Sequence, residues 1–283
     1  MKHTLRDRLA AAGFLVCALL SVAAVGVICI FLFANGIPAI AKIGPLNFLL
    51  GRTWKPSADM YGIFPMILGS LYVTAGALIL GVPVGILAAV FLARYCPKKL
   101  YRPFRSGVDL LAGIPSIVYG FFGLSVFVPA VQAVSGTSGK GILTASVLLA
   151  VMILPTVISV TESSLRAAPQ AYFEGALALG ATKERAIFGT LFPAAKSGIL
   201  SGVVLGLGRA VGETMAVVMV AGNQPVVPGG ILSGVRTMTA NIVLEMAYAG
   251  EFHRSALVAT GVVLFVFILL VNLCFSAVKR KLS

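Results

Sequence analysis

Long apolar stretches separated by short segments rich in Lys and Arg set the pattern of this chain. Leu9 to Ala41 contains the first, with Asn35, Gly36 and Pro38 marking its exit. Met60 to Ala93 contains the second, Leu110 to Gly139 the third and Gly141 to Thr161 the fourth. Ser197 to Val235 contains the fifth and is interrupted only by Arg209 and Glu213; Ser255 to Val278 is the sixth. About 20 apolar residues in a helix cross the hydrocarbon core of a bilayer, so every stretch is long enough. The pattern predicts an all-α integral membrane fold with six transmembrane helices. The first run is longer than the roughly 7–15 apolar residues of a secretory signal, and is read as a retained helix.

The basic residues add an orientation. Lys2, Arg6 and Arg8 precede the first span, and Arg94, Lys98, Lys99, Arg102 and Arg105 join the second to the third. Arg166, Lys183, Arg185 and Lys196 join the fourth to the fifth, and Lys279, Arg280 and Lys281 follow the sixth. The opposite side carries Lys42, Arg52, Lys55, Lys140, Arg236 and Arg254. Cytoplasmic loops hold the excess of Lys and Arg, which places both termini in the cytoplasm.

That distribution also answers the net charge of +13. A nucleic-acid-binding domain gathers its basic residues on one face, whereas here they are divided among the connections between spans. The composition, 59% hydrophobic and 11% charged, excludes an ordinary soluble domain, in which about a quarter of residues are charged. Cys17, Cys29, Cys96 and Cys274 lack metal-ligand spacing and imply no disulfide framework. His3 and His253 are far apart, so no metal site is expected. Gly136-Thr-Ser-Gly-Lys140-Gly lacks both the leading Gly and the trailing Ser or Thr of a phosphate-binding loop. With no nucleophile–base set either, the chain is not expected to be an enzyme or to bind a cofactor.

Two connections are more than turns. Residues 162–196 far exceed what joining two helices requires. Pro169 is placed to open a helix, Gly180 to end it, and a second short helix from about Lys183 is expected to stop before Pro193. Tyr172, Phe173, Ala176 and Leu177 share one face of the first helix. That face suits either a groove on a partner or the lipid surface, and spacing leaves both open. On the opposite side, Gly222 to Arg254 begins with Pro225, Pro228, Gly229 and Gly230 and then places Thr237, Thr239 and Asn241 beside Arg236. A re-entrant segment, a lid and a solvated hairpin all fit it.

Charged groups at bilayer depth are costly and face a bundle interior or a watery cavity. At about 100° per residue, Gly198, Gly202, Gly206, Arg209 and Glu213 fall on one helical stripe. Three glycines spaced by four let a neighbouring backbone approach closely. Arg209 and Glu213 then either neutralise one another as an i, i+4 pair, or Arg209 offers its planar fork to an oxyanion with Glu213 holding it in place.

Glu174-Gly175-Ala176, followed by Gly180 and Pro193, resembles the EAA loop of ATP-binding-cassette importer permeases, with departures at Gly175, Thr190 and Phe192. The resemblance implies that this loop couples to a cytoplasmic ATPase. Gly206-Leu-Gly-Arg209-Ala-Val-Gly-Glu213-Thr-Met-Ala-Val, with Gly222-Asn223 after it, resembles the PstC-type permease subunits of phosphate-specific importers. Gly113-Ile-Pro115-Ser116 and the stretch from Ala178 to Thr182 fit the same group, and the likeness runs over roughly residues 60–280. It implies the type I importer permease architecture, with an N-terminal helix and loop over 1–59 and a permease core over 60–283. It further implies a homologous PstA-like permease subunit, two ATPase subunits that use the ATP, and an external phosphate-binding protein. Arg209 and Glu213 become the pair needed for phosphate passage in the bacterial inner membrane. Passage of another oxyanion such as sulfate or molybdate, or a non-transporting subunit that relays phosphate status, are the alternatives. A secondary transporter fits less well, because no paired broken helices are visible in the sequence.

Overall fold

A computed structural model describes the backbone of residues 5–282, together with the side chains of Asp7 and residues 9–277. Lys2, and the side chains of Arg6, Arg8, Lys279, Arg280 and Lys281 on which part of the orientation rests, lie outside the described residues. Six helices among the described residues are long and apolar enough to cross a membrane: Leu9–Ile43, Phe64–Tyr95, Ser116–Ser135, Ile142–Ala167, Lys183–Gly212 and Glu251–Ala277. An even number of crossings returns the chain to the side on which it began. That side is called here the terminal side, and the other the far side.

Helix α1 (Leu5–Ile43) does not exit at Asn35–Pro38 as the polar and helix-breaking residues predict. In lipid an interrupted helix would leave backbone groups without partners, so the helix runs on with Pro38 inside it. Gly36 is instead a crossing point: a Cβ there would lie 2.5 Å from Val262 and 3.2 Å from the Cα of Ala259. Both belong to α13 (Glu251–Leu282), and Phe33 meets Phe265 edge-on at 5.8 Å in the same contact. Residues 9–25 of α1 are exposed throughout, with Phe14 at 76%, as a lipid-facing stretch must be, while Ala39 near its end is buried against the far-side core. On the far side α2 (Pro45–Leu50) leads to a small hairpin, in which β1 (Trp54–Lys55) pairs antiparallel with β2 (Met60–Tyr61).

The core is built around α7 (Ile142–Ala167), whose Leu148, Leu149, Met152, Ile153 and Val157 are almost wholly buried. Its neighbours are α3 (Phe64–Val90) and α10 (Phe192–Gly212). Both present glycines to it. Added Cβ atoms at Gly76, Gly81 and Gly85 of α3 would come within 2.3 Å of Ser146, 2.9 Å of Ile153 and 2.8 Å of Val157. On α10 the same atom would stand 2.1 Å from Ser164 at Gly198, 3.3 Å from Thr161 at Gly202 and 3.0 Å from Val157 at Gly206.

Two spans are broken, contrary to the uninterrupted reading of the sequence. The third crossing, Ser116–Ser135, falls within the expected stretch but is preceded by a separate charged helix, α4 (Lys98–Gly113); the chain breaks at Ile114–Pro115 and resumes as α5 (Ser116–Phe122) and α6 (Val128–Ser135) through a π-helical turn. Pro115 has no N–H, which strands the carbonyl of Leu111; the Tyr119 hydroxyl donates to it at 2.8 Å. The fifth breaks after Gly212 and resumes as α11 (Met215–Val220). The two resumed segments pack together where Gly120 meets Ala216 and Met219.

The helix expected to stop before Pro193 does not stop. After α8 (Gln170–Ala178), Gly180 turns the chain at φ +83°, and α9 (Lys183–Ala186) runs through a π-helical turn at Ile187–Leu191 directly into α10. The wider turn absorbs the hydrogen bond that Pro193 cannot make. Substituting Gly198→Val should lower the thermal midpoint of the detergent-solubilised protein, since overpacking costs about 1–3 kcal/mol. The control Gly107→Ala lies in open space and should leave the midpoint equal or slightly raised.

Candidate functional site

The break in the fifth span brings the candidate residues to one place but in different roles. Arg209 occupies the last turn of α10, is half-buried, and makes no hydrogen bond or ion pair among the described residues. Gly208, Gly212 and, on α4, Gly113 have nothing within 4 Å of where a Cβ would sit, so the ends of both half-helices border open space. Ala210, the next residue, shares a buried core cluster with Tyr119, so the end of α10 lies near the start of the third span. One cation thus stands uncompensated beside two helix interruptions.

Glu213 lies just beyond the helix, at ψ 132°, and forms no ion pair with Arg209 among the described residues. The i, i+4 geometry needs an unbroken helix, and the break removes it. Its Oε1 instead accepts from the backbone N–H of Thr214 at 3.1 Å and of Ala216 at 3.2 Å, which caps α11 and satisfies donors that a helix start leaves open. The Glu213 carbonyl accepts from Thr239 Oγ1 at 3.1 Å. Glu213 therefore holds the shape of the break at which Arg209 stands.

The segment from Gly222 to Arg254 is not a solvated hairpin. It carries a short buried helix, α12 (Met238–Met246), in which Met238, Ala240 and Asn241 are fully buried. Glu245, 6% exposed, accepts from Trp54 Nε1 at 2.8 Å and is hydrogen-bonded to His253 Nε2 at 2.8 Å. Arg236 donates to its other oxygen and, through Nε, to the Asn223 carbonyl at 3.0 Å. One carboxylate thereby ties together the β-hairpin, α12 and the start of α13. Beside it, burial first and the Asp59 carboxylate second raise the Tyr61 phenol above its ordinary range. Sequence reading singled out Arg236 but missed Glu245 and Trp54, since residues so distant along the chain meet only in the fold.

On the terminal side, α8 divides the face expected to act as one. Phe173 and Ala176 turn inward, while Tyr172, Leu177 and Leu179 are exposed, Leu179 at 91%. Glu174, Gly175, Gly180 and Pro193 are exposed. A second buried carboxylate, Glu162, lies under this knob and was also missed. A groove of about 580 Å³ between α3 and α7, under Pro228–Ile231, is lined mainly by apolar side chains and lacks any charged one; it does not reach Arg209.

Residues 81–283 match the profile of the binding-protein-dependent transport system inner membrane component family. The chain belongs to that family. It is 38% identical over 279 residues to the probable ABC transporter permease protein YqgH of Bacillus subtilis (strain 168), covering 94% of this chain and 89% of that one. It is 36% identical to the phosphate transport system permease protein PstC of Mesorhizobium japonicum, with 90% and 84% covered. Among solved structures it resembles a bacterial alginate ABC transporter in complex with an alginate-bound periplasmic protein, at a TM-score of 0.66 and 16% identity over 99% of this chain and 98% of that one. It also resembles the inward-facing MetNI methionine ABC transporter, at 0.62 and 22% over 82% and 100%. At those identities the structures speak for the fold alone.

Trp54 is the sole Trp, so its fluorescence reports the far-side cluster directly. Glu245→Ala should shift its emission and cost about 3–5 kcal/mol of stability, the penalty for leaving a buried cation unpaired. Glu213→Ala should cost about 1 kcal/mol through the lost cap, and Glu213→Gln, which keeps an acceptor oxygen, less; thermal melts of the two variants check the order.

Proposed function

We propose that this chain is the transmembrane permease subunit of an ATP-driven importer of inorganic phosphate. The observation that carries the reading is Arg209: a guanidinium without a partner among the described residues, bordering open space at a helix break. A planar fork of N–H donors matches the oxygens of phosphate, and an uncompensated cation at depth lowers the cost of bringing an anion there. The likeness to PstC supports phosphate in particular. Glu213 serves the path by capping α11 and keeping the break open beside Arg209. Phosphate passes Arg209 on weak, exchangeable contacts, since a tight site would retain its cargo.

In this reading the terminal side is cytoplasmic, following the basic residues, and the protein sits in the bacterial inner membrane. Residues 1–59 form an N-terminal helix with its external loop, and 60–283 the permease core. The chain pairs with a homologous, PstA-like permease subunit to enclose the pathway. Two ATPase subunits, which bind and use the ATP, dock on the knobs formed by residues 162–196. In this chain Glu174, Gly175, Ala176, Gly180 and Pro193 shape that knob, and Tyr172, Leu177 and Leu179 offer its exposed apolar surface. An external phosphate-binding protein delivers the substrate on the far side. The ligands shift the access equilibrium by binding its two states unequally, and the ATPase pair supplies most of that difference.

Phosphate uptake by cells carrying Arg209→Gln, with protein level and ATPase association followed in parallel, tests the reading. Uptake should fall at least tenfold while assembly persists, and more steeply than for Glu213→Gln. Unchanged uptake, or loss of uptake only together with assembly, would remove Arg209 from the path. Tenfold excess sulfate should leave wild-type uptake unaltered; inhibition would make the permease a general oxyanion carrier.

A further inference from the structure

The terminal side holds a second polar hub that the proposed function does not use. Glu162, near the end of α7, is 2% exposed. Its Oε1 accepts from Tyr101 and from Arg166 Nε, both at 2.8 Å, and its Oε2 from Arg105 Nη1 at 3.0 Å. Arg166 also lies 4.6 Å above the Tyr101 ring and donates to the Leu92 carbonyl at 2.9 Å. From the end of the second span, Arg94 donates at 2.9 Å to both the Leu165 carbonyl and Gln170 Oε1, and stacks 5.5 Å over Phe173. Gln170 and Phe173 belong to α8, the first helix of the coupling knob. Tyr101 and Arg105 belong to α4.

The Glu162 cluster and the Arg94 cluster meet through the chain segments Leu92–Arg94 and Leu165–Arg166, and together they join the knob to α4, which leads to the break near the end of α10. Helix α4 lies lengthwise along α7: Tyr101 and Arg105 meet Glu162, Val108 packs on the cluster of Ala89, Leu92 and Ile158, and Leu111 packs on the core around Leu148 and Met152. At its far end the Leu111 carbonyl is held by Tyr119, which packs in one buried cluster with Ala210, the residue next to Arg209. No residue of α4 is fully buried, so apolar packing holds it lightly and the hub is its firm attachment. A buried ion cluster is a weak source of stability compared with apolar packing but gives strict geometry. Such a joint suits a helix that must follow another element and still slide on its neighbour.

We propose that Glu162 is the positioning residue that makes α4 follow the coupling knob, so that ATP-driven movement of the knob resets the break beside Arg209. The inference rests on the importer reading for the source of the movement. The test uses the full complex in proteoliposomes, with ATP hydrolysis and phosphate transport measured together. Glu162→Gln should preserve assembly and ATP hydrolysis but lower phosphate moved per ATP at least tenfold, in kcat rather than in KM. An unchanged ratio overturns the proposal. Should Glu162→Gln not assemble, Tyr101→Phe, which keeps every charge, takes its place: a ratio lowered about threefold supports the joint and a wild-type ratio overturns it. If the wild-type complex hydrolyses ATP but moves no phosphate, the substrate reading fails by itself. The joint is then read from spin labels on Gly107→Cys and Gly175→Cys, with Cys17, Cys29, Cys96 and Cys274 changed to Ser. Their separation should stay constant on adding ATP when Glu162 is present and change in Glu162→Gln. The same ATP-driven change in both chains overturns the joint.

Discussion

Close contact between α7 and the glycine-bearing faces of α3 and α10 is the constraint on which the remaining structure depends. A membrane protein gains little by burying apolar groups away from equally apolar lipid, so its helices associate through packing and interhelical hydrogen bonds. Gly76, Gly81 and Gly85 on one side, and Gly198, Gly202 and Gly206 on the other, bring two backbones against α7; a Cβ would collide at Gly76, Gly81, Gly85 and Gly198 and be tightly packed at Gly202 and Gly206. Ser146 adds a hydrogen bond to the Val73 carbonyl at 3.2 Å. Once these three helices are locked, the end of α10 is fixed in space, and Arg209 with it.

The breaks follow from the same economy. Backbone groups freed within a membrane need replacement partners, and each break supplies its own. Tyr119 answers the carbonyl stranded by Pro115, and the Glu213 carboxylate answers the amides of α11. Both repairs use side chains from the spans they repair. Because those groups are occupied, Arg209 is left without a hydrogen-bond or ion-pair partner among the described residues at the junction.

Two buried carboxylates stand at the opposite ends of the helices, Glu245 on the far side and Glu162 on the terminal side, each contacted by three polar side chains. A carboxylate in a low-dielectric setting must be fully partnered to be tolerated, and each partner here comes from a different stretch of chain or turn of helix. The two ends are thus tied by directional bonds, while the centre is held by shape.

The spans were legible in the sequence because a bilayer imposes one length and one polarity on every crossing, whatever the neighbours. Arg209 stood out for the same reason, as a charge inside an apolar run, and the glycines as an i, i+4 series on one face. Gly180 was legible as a helix terminus because a left-handed residue is a local property. The course of Asn35–Pro38 and of Pro193 was not, since continuing or ending a helix depends on what else can take up the freed hydrogen bonds. The break at Glu213 was likewise hidden: local spacing puts Glu213 one turn from Arg209, and only the contacts of Thr239 and the start of α11 decide that it caps a helix instead. Glu162 and Glu245 have meaning only through Tyr101, Trp54 and other residues far along the chain. Periodicity along one helix carries the local and lipid-facing part of a membrane fold; bonds that close between distant segments depend on three-dimensional arrangement, and tertiary structure alone decides them.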